Sequence, residues 1–336
     1  MKEPMDAYPQ NLDIDVVGFG NALVDVLSHQ DDEFIDQIGA IKGGMNLVDG
    51  HRSAELYELV GERTTVSGGS AANTVIGVNS LGGTCGYIGR VADDDLGEVF
   101  VSDMQRLSIG YTTPRASAED PTGRCIVFIT PDGERTLNTF LGASNGLSSS
   151  DVDLDLVRRA KLLFLEGYLW DPPEAKAAMR YAASEVSSET RVALTLSDQF
   201  CVERHRDSFL QLIDEHVDAV FANHLEVMSL FEVDQLDAAL SMIQERVDLA
   251  AITLGSDGSM LITPEERISI EADPVARVVD KTGAGDLYAA GVLYGLAQGY
   301  DLQRCGMLGS IAAEEVIGHV GPRPEVSLRE LAGEIA

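Results

Sequence analysis

Residues 280–286 read Asp280-Lys281-Thr282-Gly283-Ala284-Gly285-Asp286 and lead directly into Leu287-Tyr288-Ala289-Ala290-Gly291, a small-residue stretch that reads as a helix from near Ala284 to about Gln298. Glycines at a helix start let the backbone approach an anion closely, and the unpaired N–H groups with the helix dipole favour negative charge there. The segment is therefore a candidate anion hole made of backbone. Asp286 has two readings from its position: a first-turn carboxylate stabilises a helix by ~0.3–1 kcal/mol, and it also stands beside whatever the amides hold.

Any such anion binds against the field of the whole chain. The 336 residues carry 24 Lys+Arg against 55 Asp+Glu, a formal charge of −31. Nucleic acid and anionic membrane both need a basic footprint, so neither is expected as a partner. A polyphosphate would have to be held by local amides, a few Arg or Lys and a divalent cation. Composition, at 45% hydrophobic and 24% charged, excludes disordered and fibrous classes. The length allows two domains, or one large α/β domain with an appended piece. Cys85, Cys125, Cys201 and Cys305 lie far apart without paired Cys/His spacing, which argues for buried thiols in a reducing compartment. The acidic N-terminal segment lacks an apolar signal region, and no run approaches the ~18 apolar residues of a membrane span. A cytoplasmic location follows as the expectation.

Short β-branched runs alternate with longer helical stretches, the pattern of a mainly parallel sheet covered by helices. The expected strands are 14–20, 84–90, 162–166, 192–196, 219–222 and 250–254. A helix is expected from Ser70, as N-cap, to the stop at Gly82-Gly83. Two stretches break the rhythm. Residues 26–66 are acidic, with Gly43-Gly44, and residues 112–141 read as a β-hairpin, 124–130 and 135–141 around Pro131-Asp132-Gly133. They are expected to pack together as a small β-rich layer. Two nucleotide signatures fail: Gly18-Phe19-Gly20-Asn21-Ala22-Leu23 has Leu23 at the third glycine of G-x-G-x-x-G, and Lys281-Thr282 follows Asp280 where a P-loop requires glycine.

The 280–286 segment resembles the D-T-x-G-A-G-D motif of the ribokinase-like, or PfkB, family of carbohydrate and nucleoside kinases. Ser67-Gly68-Gly69-Ser70-Ala71-Ala72-Asn73 resembles that family's G-G-x-x-x-N, Asn223-His224-Leu225-Glu226 its N-x-x-E, and Thr253-Leu254-Gly255-Ser256-Asp257-Gly258 its T-x-G-x-x-G. Within the family the chain looks most similar to adenosine kinases, through residues 20–25, Pro121-Thr122-Gly123-Arg124-Cys125, and Thr195-Leu196-Ser197 followed by Phe200. The resemblance implies a three-layer α/β/α fold with a central, mainly parallel sheet. The large domain would comprise residues 1–25, 67–111 and 142–336, with a discontinuous lid at 26–66 and 112–141.

It also implies an activity: ATP-dependent transfer of the γ-phosphoryl group to the primary 5′ hydroxyl of a ribose-containing acceptor, adenosine first. A sugar kinase acting on ribose or fructose is the alternative, and a non-catalytic nucleoside-binding protein the remote one. By resemblance Asp286 is the catalytic base beside the amides of Gly283, Ala284 and Gly285. Asn21, Asp25, Gly68, Gly69 and Asn73 hold the sugar, with Gly68-Gly69 also the hinge of the lid. Leu23, Tyr168 and Phe200 are candidates to sandwich a base. Asn223, Thr253, Gly255 and Gly258 would lie along the nucleotide, Arg135 could swing onto its phosphates, and Glu226 would order Mg²⁺ through water. For several of these the bland alternative is as good locally: a capped helix start at Asn223, a plain β-turn at 253–258, a surface arginine at 135. One departure stands out, Lys281 in place of a small residue. In relatives Asp280 and its neighbours help form a monovalent cation site, so K⁺ dependence is doubtful here. Monomer and homodimer are both compatible with the resemblance.

Overall fold

Val16 and Val17 are adjacent in the first strand, point to opposite faces, and are both completely buried, so helices must cover both sides of that strand. The computed structural model describes residues 12–132, 134–272 and 277–336, and in it that prediction holds. Among the described residues the large sheet has nine strands. These are β1 (Ile14–Phe19), β5 (Cys85–Ile88), β6 (Gly110–Tyr111), β9 (Ala160–Glu166), β10 (Arg191–Thr195), β11 (Ala219–Asn223), β12 (Leu249–Thr253), β13 (Ser259–Ile262) and β14 (Arg267–Ile270). A smaller sheet takes β2 (Leu23–His29), β3 (Met45–Leu47), β4 (Thr64–Gly68), β7 (Thr122–Ile129) and β8 (Arg135–Gly142).

The order in the large sheet is β14-β13-β12-β11-β10-β9-β1-β5-β6, parallel except at the β12–β13 and β13–β14 pairs. From β1 the chain builds outward through β5 and β6, then returns at β9 to build the other half. The boundary between β1 and β9 is thus the topological switch point, where open α/β sheets leave a crevice at the carboxyl ends of their strands. One core lies on each face. Val16, Phe164 and Phe221 pack under helices 70–80, 95–106, 284–297 and 302–317; Val17, Leu163 and Ile252 pack under the helices between 154 and 244. The fold is the three-layer α/β/α arrangement expected.

The small sheet runs β3-β8-β7-β2-β4. Val26, Ile126 and Phe128 on one face pack on Ile35 and Leu56 of two short helices. Its other face presents Asp25, Cys125, Leu137 and Thr139 to a cavity at the switch point. The hairpin expected at 124–141 forms, with Gly133 of its turn outside the described residues. Two placements differ from expectation. Asp25 lies inside β2, paired with Val66 and Cys125, and so in the small sheet and not in the large domain expected to run to residue 25. The small sheet accordingly takes in residues 23–25 and 67–68, because Gly20-Asn21-Ala22 is the only break between β1 and β2 and hydrophobic alternation resumes at once. The β13–β14 hairpin was not anticipated: Ser259-Met260-Leu261-Ile262 is too short a run to separate from its turn.

Candidate active site

The glycine-led helix start forms where the sequence suggests. Gly283, at φ 81°, is the N-cap of the helix Ala284–Ala297, and a side chain there would place its Cβ 2.8 Å from Pro322. Glycine is required by both backbone angle and space. Ala284 N–H closes a turn on Lys281 O at 3.2 Å, so the first-turn amides with no intrahelical acceptor are those of Gly285 and Asp286. No atom outside the helix backbone lies within 4 Å of where a Gly285 side chain would begin. The motif thus leaves a bare helix start on the cavity, with exposed Lys281 at its edge.

Asp286 is fixed from across the cavity. Ser70 Oγ donates to its Oδ1 at 2.6 Å and Asn73 Nδ2 to its Oδ2 at 2.8 Å, both from the first turn of the helix Ser70–Ser80. Burial lifts the Asp286 pKa, against the pull of those two donors and of the Arg323 charge. The N-cap here is Gly69, at φ 103°, and not Ser70: a Cβ on Gly69 would sit 2.1 Å from Asn21 O. Ser70 therefore moves one place into the helix, which frees its hydroxyl for Asp286.

Glu166, at the end of β9, faces β1 across the switch point and is 1% exposed. Its Oε1 accepts from Asn21 Nδ2 at 2.7 Å and its Oε2 from Ala71 N at 2.9 Å, so one carboxylate joins the β1 loop to the start of the Ser70–Ser80 helix. Burial raises its pKa to about 7. Because Asn21 and Asn73 each spend their amide N–H on a carboxylate, their orientation is determined, and the carbonyl oxygen of each is buried without a partner. Asp25 likewise accepts no hydrogen bond among the described residues, and burial raises its pKa to about 6. Gly68 makes room for it: a Cβ there would meet the Asp25 carboxyl at 2.6 Å. Three acceptors without donors thus line one part of a cavity of about 690 Å³, and Leu23, Cys125, Leu137 and Leu141 wall it off.

The cavity brings together Asn21, Asp25, Gly69, Asn73, Phe200, Asn223, Glu226, Thr253, Gly283, Gly285 and Asp286. Gly68 and Ala284 do not line it; Gly68 packs on the Asp25 carboxyl and Ala284 lies between the lining residues Gly283 and Gly285. Gly255 and Gly258 do not line it; their positive φ angles of 67° and 88° serve the tight β12–β13 turn, where Leu254 N bonds Gly258 O at 2.8 Å. Asn223 and Glu226 form a reciprocal cap, with both Glu226 oxygens accepting from Asn223, and burial raises the Glu226 pKa to about 7. Phe200 stands at the rim, 70% exposed. Tyr168 lines the cavity with its hydroxyl on Ser197 O, while Trp170 is packed in the core and His319 pairs with the largely buried Glu315.

Two expectations are corrected. Arg135 is neither free over the cleft nor on the surface: it is 7% exposed, and its Nη1 bonds Asp280 Oδ2. Asp280 in turn is filled by protein donors, since Thr282 N and Oγ1 bond its Oδ1 and Gly321 N bonds its Oδ2 at 2.9 Å. The positive charge at this carboxylate is the guanidinium. Sequence reasoning missed Ser70, Glu166 and Arg323 because each acts through distant partners. Only the position of Glu166, an acid closing an apolar strand, carried a signal.

A family model described as pfkB family carbohydrate kinase matches residues 38–328. The adenosine kinase from Sinorhizobium meliloti aligns with a TM-score of 0.89 at 46% identity, over 95% of this chain and 98% of that one. A probable sugar kinase from Rhizobium etli CFN 42 aligns with a TM-score of 0.89 at 44% identity, over 96% and 98%. The adenosine kinase of Saccharomyces cerevisiae is 27% identical over 330 residues, 91% of this chain and 96% of that protein. With the Gly-Ala-Gly-Asp helix start facing a walled acceptor cavity, the chain belongs to the pfkB family of carbohydrate kinases and is an ATP-dependent phosphotransferase.

Proposed function

We propose that the chain transfers the γ-phosphoryl group of Mg·ATP to the 5′ hydroxyl of a ribonucleoside, adenosine foremost, as in purine salvage. One observation carries the reading: three acceptors without donors, the buried Asn21 Oδ1 and Asn73 Oδ1 and the half-buried Asp25 carboxylate, lie beside an apolar wall. Acceptors without donors call for a hydroxyl-rich partner, because each unpaired group costs about 1–3 kcal/mol. The wall of Leu23, Cys125, Leu137 and Leu141, extended by the half-exposed Met45 and Leu47, suits a flat aglycone better than the polar C1 end of a free sugar. The Sinorhizobium protein described as an adenosine kinase supports the same reading.

In this account Asp25 receives the 2′ and 3′ hydroxyls and the Asn21 and Asn73 carbonyls fix the ring. Asp286 takes the proton of the 5′ hydroxyl as that oxygen forms its bond to the γ-phosphorus, and the bond to the β-phosphate oxygen breaks with its electron pair leaving on ADP. The Gly283–Gly285 turn and the Gly285 and Asp286 amides offset charge on the equatorial oxygens, and Lys281 lies within reach of the phosphates. Asn223 and Thr253 line the nucleotide side. Among the described residues no three His, Cys, Asp or Glu side chains converge into a metal cage. Mg²⁺ would therefore come with ATP, neutralising phosphate charge, while Glu226 orders its water. The small sheet acts as the lid, with Gly68-Gly69 as hinge.

The Rhizobium relative described as a probable sugar kinase keeps a second reading alive, a kinase for ribose or fructose. ADP release with Mg·ATP across adenosine, inosine, guanosine, cytidine, ribose and fructose separates the two. The nucleoside reading expects adenosine to lead. A free-sugar preference of about 100-fold in kcat/KM, or ~2.7 kcal/mol, would replace it with the sugar reading.

A further inference from the structure

Three consecutive residues near the C-terminus, Gly321, Pro322 and Arg323, each touch a different part of the site. Gly321 N donates to Asp280 Oδ2, the oxygen that also holds Arg135 of the small sheet. Pro322 packs against Gly283 of the anion hole. Arg323 Nη2 donates to the carbonyl oxygen of Ser67, and to Ser67 Oγ at 3.2 Å. Ser67 is the penultimate residue of β4, directly before the two hinge glycines, and its own N–H and hydroxyl bond Asp103 Oδ2. The next residue, Gly68, is the one packed on the Asp25 carboxyl. The segment thus straps the hinge strand and the Asp25 wall to the anion-hole helix.

Arg323 is unusual within that strap. No carboxylate oxygen among the described residues comes within ion-pair distance of it, and its Nε is shut off from solvent without a partner. An unpaired guanidinium in such a place is costly unless charges around it compensate. The charged groups facing it are Asp25 on β2, Asp103 on the helix Asp95–Arg106 and Asp286 on the helix Ala284–Ala297, and the neutral Tyr87 hydroxyl of β5 faces it too; against their pull, burial lowers the Arg323 pKa to about 10. Asp25 in turn faces Arg323, Arg135 of β8, Asp286 and the Cys125 thiol of β7.

We infer that Arg323 is a positioning residue of the acceptor site: through Ser67 it fixes the hinge strand, and with it Gly68 against the Asp25 carboxyl that receives the acceptor's hydroxyls, while its own charge faces the acids of that site. The inference rests on the reading of Asp25 as the diol-binding carboxylate. Arg135 anchors the far end of the same sheet to Asp280, but its charge is spent in a direct pair; that of Arg323 is shared among the acids around the acceptor.

The test compares wild type, Arg323→Met and Arg323→Lys in ADP-release assays with adenosine between pH 5 and 9. Removing a nearby cation raises a carboxylate pKa by about 1 unit or more, so the acid limb of kcat/KM for adenosine moves to higher pH in Arg323→Met by about that much. At pH 7 the KM for adenosine rises about tenfold while that for ATP stays within about twofold. Arg323→Lys keeps the charge and loses the fork on Ser67: its acid limb stays with wild type and its adenosine KM still rises. A Met variant with the wild-type acid limb, or a Lys variant displaced as far as Met, overturns the inference, and a general loss of fold would strike both KM values alike. Should Arg323→Met fail to fold, the Lys variant decides alone: a displaced limb or an unchanged adenosine KM sinks the idea. A wild-type enzyme silent on nucleosides but active on ribose defeats the nucleoside reading instead, and the same comparison is then made with ribose.

Discussion

At the Gly283–Asp286 end of the cavity the working groups are consecutive in sequence and mostly uncharged backbone. At the Asn21–Asp25 end they arrive from β1, β2, β9 and the Ser70–Ser80 helix, and they bring desolvated acid: half-buried Asp25 raised to about 6 and buried Glu166 to about 7. On the proposed function, the contrast follows from the ligands. A phosphoryl group is an anion and is met by amides and a helix dipole, which a chain of charge −31 can supply locally without a basic surface. A polyol is met by acceptors, and acceptors waiting in a buried site are costly until the ligand fills them. One end is stable as it stands, and the other is held ready at the expense of the fold.

The largest effect separates the ends outright. Asp286→Asn should lower kcat by about 10²–10⁴-fold, within the range of general base catalysis, while leaving adenosine affinity by calorimetry close to wild type. Near-normal turnover in that variant would remove the base from the account. Next is the Arg135–Asp280 pair, which ties the small sheet to the anion-hole loop. Arg135→Ala strands a carboxylate that is 8% exposed and should lower stability by about 3 kcal/mol in denaturant titrations. Arg135→Ala with Asp280→Asn should recover part of that loss; if the double variant is no better than the single, the charge is not what couples the two parts.

Asp25→Asn should move stability the other way. The folded pKa of Asp25 lies above the ordinary carboxylate value, so folded protein holds this proton more tightly than unfolded chain, and the group's contribution falls as pH rises from about 4 to about 6. A neutral Asn removes that penalty. The variant is expected to be more stable at pH 7.5 by about 2 kcal/mol, with the gain vanishing near pH 4, and to lose acceptor binding. Destabilisation at pH 7.5 would mean the carboxylate is satisfied and the two ends are less different than argued. The smallest effect is none: with Asp280 already carrying Arg135, turnover should be flat between K⁺-free and K⁺-containing buffer, and clear K⁺ activation would count against that pairing as the replacement for a bound cation.

What the sequence made legible divides along the same line. The helix start at 283–286 and the parallel sheet could be read because each depends on neighbours within a few residues: two glycines and an aspartate, or a short β-branched run. Glu166, Ser70 and Arg323 could not, since their partners lie 95, 216 and 256 positions away and no local pattern marks them. Arg135 misled for a related reason. Its hairpin was visible, but the carboxylate that captures it belongs to another part of the fold. Gly255 and Gly258 show the converse, a motif whose glycines answer to a turn in the backbone and not to the cavity.

The most direct measurement of the central claim is a crystal structure with a non-hydrolysable ATP analogue and adenosine. The terminal phosphate is expected within hydrogen-bond distance of the Gly285 and Asp286 amides, the ribose diol on Asp25, and the 5′ oxygen between Asp286 and phosphorus. A terminal phosphate bound away from residues 283–286, or a ribose that leaves Asp25 unpaired, would contradict it.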